Sequence, residues 1–451
     1  MLPPEWNVRL VDLNVSQLDQ RDLEWADYAW ISAMVVQRSS AIKTIDACIQ
    51  AGVDIVAGGP LFTSEHSSFP AVDYFILNEA EITLPQFLAD LKAGHPKRIY
   101  TTTEFPDLYQ TPIPRWELVN FKNYATMDIQ FSRGCPYDCE FCNITTLFGH
   151  KPRIKTSAQL IAELDHLYDL GWRGSVFFVD DNFIGNKKQL KQDILPALIK
   201  WREGKIGLPF STEVSINLVD DQDLMDKMVA AGFNTVFIGI ETPNEASLAE
   251  CNKFQNKDRD LVETVKRIQH AGLQVQGGFI VGFDSDSPTI FQQQIDFIQK
   301  SGIVSAMVGL LQAPLGTRLY QRLQAENRLL PVISGNNVDG STNIVPKMGF
   351  ETLSAGYKYV LSQIYSPKLY YERMITFLKE YHMPKIQISL STENILALWL
   401  SIYHLGIRGA ERLHYWKLWL WVLLHKPGVF PIAITLAIYG YHFRRICELT
   451  T

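Results

Sequence analysis

Short apolar runs separated by polar segments recur along most of the chain. Val8–Leu13, Tyr28–Met34, Asp54–Ala57 and Tyr74–Leu77 have the unbroken apolar character of strands buried in a parallel sheet. A helical stretch near Ala41–Ala51 lies between two of them. This strand–helix–strand order predicts a partial doubly wound, flavodoxin-like domain over residues 1–93. Residues 94–126 carry Pro96, Pro106, Pro112 and Pro114 without a hydrophobic period and read as a linker. From 127 to 330 strands alternate with helices. Asp128–Phe131, Ser175–Val179, Phe210–Ile216, Thr235–Ile240, Gln274–Val281 and Ser305–Leu311 are the strand candidates. Helical patterns such as Ala158–Leu170, Leu224–Ala231, Leu261–Ala271 and Ile290–Lys300 fill the gaps, and Gly171, Gly232, Gly272 and Gly302 follow them as stop signals. Six such units predict a (β/α)6 partial TIM barrel, with its chemistry at the C-terminal strand ends. Residues 331–451 read as a helical C-terminal extension. The fold class is α/β.

The 451-residue length calls for two or three cores, and a composition of 47% hydrophobic and 20% charged residues is globular. A net charge of −6 argues against a nucleic-acid partner. No basic, apolar leader opens the chain, so no secretory signal is expected. Of six cysteines, three fall within eight residues, and Cys48, Cys251 and Cys447 are scattered. That distribution is no disulfide framework; it predicts a reduced, cytoplasmic protein with one cysteine-based metal site.

The three clustered cysteines lie in Ser132-Arg133-Gly134-Cys135-Pro136-Tyr137-Asp138-Cys139-Glu140-Phe141-Cys142, after the first barrel strand. Four thiolates saturate a 4Fe–4S cube, so the spacing C-x3-C-x2-C leaves one iron open to a ligand. A structural zinc would take four protein ligands, and His150 is the nearest candidate for a fourth.

This loop at the catalytic end of a parallel barrel resembles the radical S-adenosylmethionine superfamily. The resemblance implies that Cys135, Cys139 and Cys142 hold the 4Fe–4S cluster and that S-adenosylmethionine chelates the open iron, yielding a 5′-deoxyadenosyl radical. Phe141 matches the aromatic position near the adenine. Asp180-Asp181-Asn182, Glu213 and Glu241 end successive strands, where the family contacts the nucleoside and the methionine moiety. Gly278-Phe279-Ile280-Val281-Gly282 resembles the G-x-I-x-G stretch lining the adenine, through Gly278, Ile280 and Gly282. Ser285 stands where a carboxylate usually follows, with Asp284 adjacent, and Pro314, Gly316 and Thr317 resemble the sixth-strand turn. Each acid taken singly is nearly as well explained as a solvated strand end; their recurrence favours the site.

The domain order resembles cobalamin-dependent members of the superfamily. Val11-Asp12-Leu13-Asn14, Gly58-Gly59-Pro60 and Asn78-Glu79-Ala80-Glu81 are similar to their cobalamin-domain signposts. Gly58 and Gly59 are thus cofactor-binding candidates, although a turn without a ligand explains them as well. Asn337-Val338-Asp339-Gly340 and Tyr439-Gly440-Tyr441-His442-Phe443-Arg444 are similar to the helical extension of a subset containing the hopanoid C-2 methylases. Two departures stand out. The N-terminal domain is expected to lack an opening strand and helix, and Asn14 and Gln17 stand where a D-x-H-x-x-G motif would place His and Gly. Cobalamin would then be held without a protein ligand to cobalt. The resemblance implies methylation of an unactivated carbon, on a small molecule or a lipid such as a hopanoid, with an electron donor such as flavodoxin or ferredoxin. The alternatives are a radical rearrangement or cyclisation without methyl transfer, and a non-catalytic iron–sulfur or cobalamin sensor.

Near the C-terminus, residues 415–424 and 429–439 are apolar and aromatic, but neither run reaches the ~20 residues of a membrane span. They predict either helices packed on the barrel or a surface in peripheral contact with a membrane.

Overall fold

The computed structural model of the chain describes residues 1–331, 334–336, 338–384 and 392–450. Asn337, one of the extension positions, lies outside them.

The first sheet is parallel, in the order β1-β2-β3-β4: Tyr28–Ser32 (β1), Asp54–Gly58 (β2), Tyr74–Ile76 (β3) and Ile99–Tyr100 (β4). Ile55, Val56 and Ala57 are buried, as an unbroken apolar run on a central strand requires. The Arg38–Ala51 helix crosses from β1 to β2 and stops at Gly52, which takes the left-handed conformation (φ 70°).

Two expectations fail here. Val8–Leu13 is not a strand. Asp12 folds the chain locally: its carbonyl accepts from the Val15 and Ser16 amides, and its carboxylate from the Asn14 amide. Such a side-chain turn competes with sheet pairing, and Leu10 is left exposed. The sheet also runs past Ala93 into the stretch read as linker. The amides of Phe75 and Leu77 donate to the carbonyls of Arg98 and Tyr100. Two residues of strand between proline-containing segments are too short to show a period.

The second sheet has six parallel strands in the order β12-β11-β10-β9-β8-β5. They are Thr126–Ile129 (β5), Ser175–Phe178 (β8), Phe210–Glu213 (β9), Phe233–Glu241 (β10), Gln274–Val281 (β11) and Ala306–Leu310 (β12). Between β5 and β8 an antiparallel pair, Ser132–Arg133 (β6) and Arg153–Ile154 (β7), frames the cysteine loop. Helices Ser157–Asp169, Gln222–Ala231, Leu261–His270 and Ile290–Ser301 return the chain between strands. Phe178, Phe183, Phe210 and Phe233 form an aromatic cluster with ring centroids 4.9–5.4 Å apart.

The C-terminal region is helical: Phe350–Ile364, Pro367–Glu380, Thr392–Ser401, Arg412–His425 and Phe430–Thr450. It shares one continuous apolar core with the barrel. Buried polar groups fix the docking. Arg373 donates to Gln299 Oε1 at 2.6 Å and the Val304 carbonyl at 3.2 Å, and the Tyr365 hydroxyl donates to the Ala306 carbonyl at 2.8 Å.

Candidate functional site

The cysteine loop leaves β6 through Gly134. A side chain there would lie 2.9–3.0 Å from the carbonyls of Gly149, Lys151 and Phe148, and φ is +95°, so the turn requires glycine. The loop is pinned along its length. The Cys135 amide donates to the Gly149 carbonyl, the Cys142 amide to the Cys139 carbonyl, and the Glu140 amide to the Cys251 carbonyl. The Glu140 carboxylate accepts from Arg322 at 2.8 and 3.1 Å.

Cys135, Cys139 and Cys142 are free thiols, close enough to influence one another electrostatically. Burial raises all three pKa values, that of Cys142 to about 12. Thiolates there need cationic compensation, which iron provides. No group of three metal-ligating side chains among the described residues converges on a single ion. A 4Fe–4S cube would take the three thiolates at separate corners and leave one iron open, which this donor set fits.

The acids at the strand ends divide sharply. Asp180 is buried and turned into the protein, accepting from the Phe131 amide at 3.2 Å, the Ser132 hydroxyl at 2.5 Å and the Ser132 amide. Burial outweighs these bonds and raises its pKa to about 7. Through these bonds its side chain anchors the root of the cysteine loop. Asp181 accepts from the Gly134 amide at 3.0 Å. Glu241, in a left-handed conformation (φ 63°), is paired with Lys253 at 2.7 Å. Burial would lower the Lys253 pKa, but Glu241 outweighs it and keeps the ammonium charged. Glu213 accepts no hydrogen bond among the described residues, and burial raises its pKa to about 7, with Asp181 adding to the shift.

On the other side, Phe141 and Ile280 pack against one apolar cluster containing Phe283, Leu311 and Leu319. Gly278 gives room to Phe237, whose ring would lie 2.8 Å from a Cβ, and Gly282 (φ +107°) turns the chain out of β11. A carboxylate, Asp286, follows Ser285 by one residue. Asp286 is buried and accepts from the amides of Gly282 and Phe283 at 2.9 and 3.1 Å and from the Ser247 hydroxyl at 2.7 Å. Asp284 instead takes Arg322, Arg328 and Lys347. An open cleft of about 470 Å³ lies against the loop, lined by Pro136, Tyr137, Asn217, Asn252 and Gln255 among others.

The small sheet meets this site at its own C-terminal edge. Asn78, just after β3, accepts from the Thr101 hydroxyl, and its amide donates to Thr63. The next residue, Glu79, is buried and bridges Arg133 of β6 and Arg153 of β7 at 2.5 and 2.7 Å, while Glu81 takes the other side of Arg133 at 2.8 Å. Burial would raise the Glu81 pKa, but Arg133 reverses the effect and holds it below its ordinary value. Gly58 and Gly59 are explained within the sheet: side chains there would lie 2.8 Å from the Ile76 carbonyl and 2.8 Å from Ser32 Oγ. Arg133, Arg153, Lys253 and Asp286 were not among the sequence candidates. Lys253 follows no strand end and carries no periodic signal, Asp286 stands one residue beyond the expected position in the turn after β11, and the two arginines sit on strands of two residues.

Residues 129–298 match the radical SAM superfamily, and residues 317–451 match a domain of unknown function (DUF4070). An uncharacterized methyltransferase of Synechocystis sp. is 40% identical, covering all of this chain and 85% of the relative. The hopanoid C-2 methylase of Rhodopseudomonas palustris is 34% identical, over 92% of this chain and 80% of its own. Two solved structures share the fold with a TM-score of 0.59 each. The cobalamin-dependent S-adenosylmethionine radical enzyme OxsB is 16% identical, over 95% of this chain and 72% of that one. The radical S-adenosylmethionine methyltransferase TsrM from Kitasatospora setae is 12% identical, over 92% and 88%. With the three-cysteine loop at the head of a six-stranded parallel barrel, these likenesses settle the family: the chain belongs to the radical SAM methyltransferases that include the hopanoid C-2 methylase.

Proposed function

We propose that this enzyme methylates an unactivated sp3 carbon with cobalamin as methyl carrier, and that its substrate is a hydrophobic polycyclic lipid of the hopanoid class. The observation that carries the cobalamin reading is the Glu79 bridge. It holds the C-terminal edge of the small sheet against the C-terminal edge of the barrel, the two edges at which such sheets bind ligands. The hopanoid C-2 methylase relative supports the substrate class.

In this reading Cys135, Cys139 and Cys142 hold the 4Fe–4S cluster, and Phe141, Gly278, Ile280 and Gly282 shape the adenine seat. Glu213 and the Glu241–Lys253 pair supply the polar contacts to the rest of S-adenosylmethionine. Asp180 and Asp181 hold the loop in place by its backbone. Gly58 and Gly59 open the turn at the cobalamin edge of the small sheet, with no histidine presented to cobalt. When bound, the three cofactors supply reductive cleavage, hydrogen abstraction and methyl delivery. The protein contributes position and exclusion of water. An electron donor such as flavodoxin or ferredoxin completes the system. Three cysteines clustered as metal ligands rather than spread as a disulfide framework suit a cytoplasmic site of action, and a lipid substrate calls for peripheral contact with a membrane.

The test is anaerobic reconstitution with and without cobalamin, using S-adenosylmethionine carrying a deuterated methyl group and a hopanoid acceptor. Label should appear in the product only when cobalamin is present. An isomerised, unlabelled product would show a rearrangement instead.

A further inference from the structure

Helix Arg412–His425 carries large apolar residues on its exposed face as well as its buried one. Tyr415, Leu418 and Val422 are buried against the protein, while Leu413, Leu420 and Leu424 on the other side are 70%, 61% and 70% exposed. A helix at the surface of a water-soluble protein normally turns polar residues outward. The preceding helix, Thr392–Ser401, and the helical turns Ile402–Arg408 that continue it repeat the departure, with Leu396, Trp399 and Ile407 exposed. The stripes on both helices keep the three-to-four-residue spacing of a helix face. They meet where the Trp416 indole donates to the Gly406 carbonyl at 2.9 Å. An apolar patch of this extent marks a docking surface.

Charge selects the occupant. Residues 394–447 contain six Lys and Arg and one carboxylate, Glu411, in a chain of net charge −6. Glu411 is buried and paired with Arg444 at 2.8 Å, whereas Arg408, Arg412 and Lys417 are exposed beside the apolar stripe. A two-fold dimer through this face would set these cations against their own copies with no exposed carboxylate of the segment to neutralise them. An anionic lipid surface meets both needs, since it accepts leucine and tryptophan below its headgroups and pairs with the cations at them. No described helix is long and apolar enough to cross a membrane. We propose that the exposed face of residues 395–424 lies in the plane of an anionic bilayer and docks the enzyme on it. This places the surface on two helices of the extension and excludes most of Phe430–Thr450, where Ala433, Ile434, Leu436 and Ala437 are buried. The inference deepens the lipid-substrate reading and rests on it for purpose only.

The experiment is co-sedimentation of the full reconstituted chain with vesicles of phosphatidylcholine, alone or mixed with phosphatidylglycerol. S-adenosylmethionine cleavage without lipid is measured in parallel, so that a failure of docking is separable from a failure of catalysis. The intact protein should bind the phosphatidylglycerol vesicles and release them at high salt. The Leu420→Glu/Leu424→Glu variant should lose partitioning by about tenfold or more, with cleavage unchanged because both positions are exposed. Arg412→Glu/Lys417→Glu should bind phosphatidylglycerol vesicles no better than phosphatidylcholine ones. An intact protein that stays in the supernatant at low salt would overturn the proposal. So would a dimer that Leu420→Glu/Leu424→Glu dissociates.

Discussion

Replacing Glu79 by alanine tests whether the two strand edges are held together as described. The wild-type carboxylate is almost wholly buried, with 3% of its side chain exposed, and accepts three hydrogen bonds from two guanidinium groups. Arg133 would keep Glu81 and Gln130, so little of its charge is orphaned. Arg153 would keep the carbonyls of Pro106 and Phe148 and the Phe105 ring 5.0 Å away, but no carboxylate, and its Nε already lacks a partner. One uncompensated buried cation costs about 3–5 kcal/mol. The retained carbonyl partners put Glu79→Ala at about 3 kcal/mol, and Glu79→Gln, which keeps an acceptor, at about 1–2 kcal/mol. Global unfolding of a multi-domain chain need not be two-state, so the readout should be local. Amide hydrogen exchange across residues 78–81 and 132–154 should speed by roughly a hundredfold in Glu79→Ala, the factor for about 3 kcal/mol. Glu79→Gln/Arg153→Gln should show coupling of about 1 kcal/mol or more. Unchanged exchange in both segments would refute the bridge as the structural link.

Three further outcomes follow from the same geometry. Cys139→Ala should lose 4Fe–4S absorbance, iron content and 5′-deoxyadenosine formation together, whereas Cys48→Ala, in the core of the small sheet, should retain all three. Asp180 has a folded pKa of about 7, above its unfolded value, so the native state holds the extra proton between about pH 4 and 7, and stability falls as pH rises through that window. Thermal melts from pH 5 to 8 should show a smaller decline for Asp180→Asn than for wild type, and an equal decline would count against the assignment. Asp284 is held well below the ordinary carboxylate range: burial opposes the shift, and Arg328 and Arg322 outweigh it. Its stabilisation is present above about pH 4 and lost on acidification; Asp284→Asn should cost about 1–3 kcal/mol in denaturant melts at pH 7 and less at pH 3.

The barrel was legible because its signals are local and repeated. Gln274–Val281 is flanked by a glycine-terminated helix on one side and Gly282 on the other, and the strand has those bounds. The three cysteines were legible because their spacing is itself the ligand pattern. What could not be read was set by tertiary partners. Asp180, Asp181 and Glu241 look alike as acids at strand ends. Their chemistry differs because one meets two backbone amides and a hydroxyl, one a glycine amide and one a lysine twelve residues later in the chain. Val8–Leu13 had the composition of a strand, but Asp12 closes a turn on its own neighbours and Tyr124 holds it there at 2.8 Å.

The Asn78-Glu79-Ala80-Glu81 segment shows what a resemblance alone leaves open. As a signpost it suggested contact with cobalamin, yet both carboxylates point at arginines of the cysteine-loop hairpin. Arg133 immediately precedes Gly134-Cys135, and its strand partner is Arg153. Any displacement of the small sheet therefore acts on the backbone that leads into the cluster ligands. A methyl carrier on one edge and a radical generator on the other must address the same carbon, and a misplacement of about 1 Å can cost about a hundredfold in rate. A buried, four-residue ion-pair network fixes that separation better than apolar packing can, because each guanidinium fork accepts only one orientation of its carboxylate.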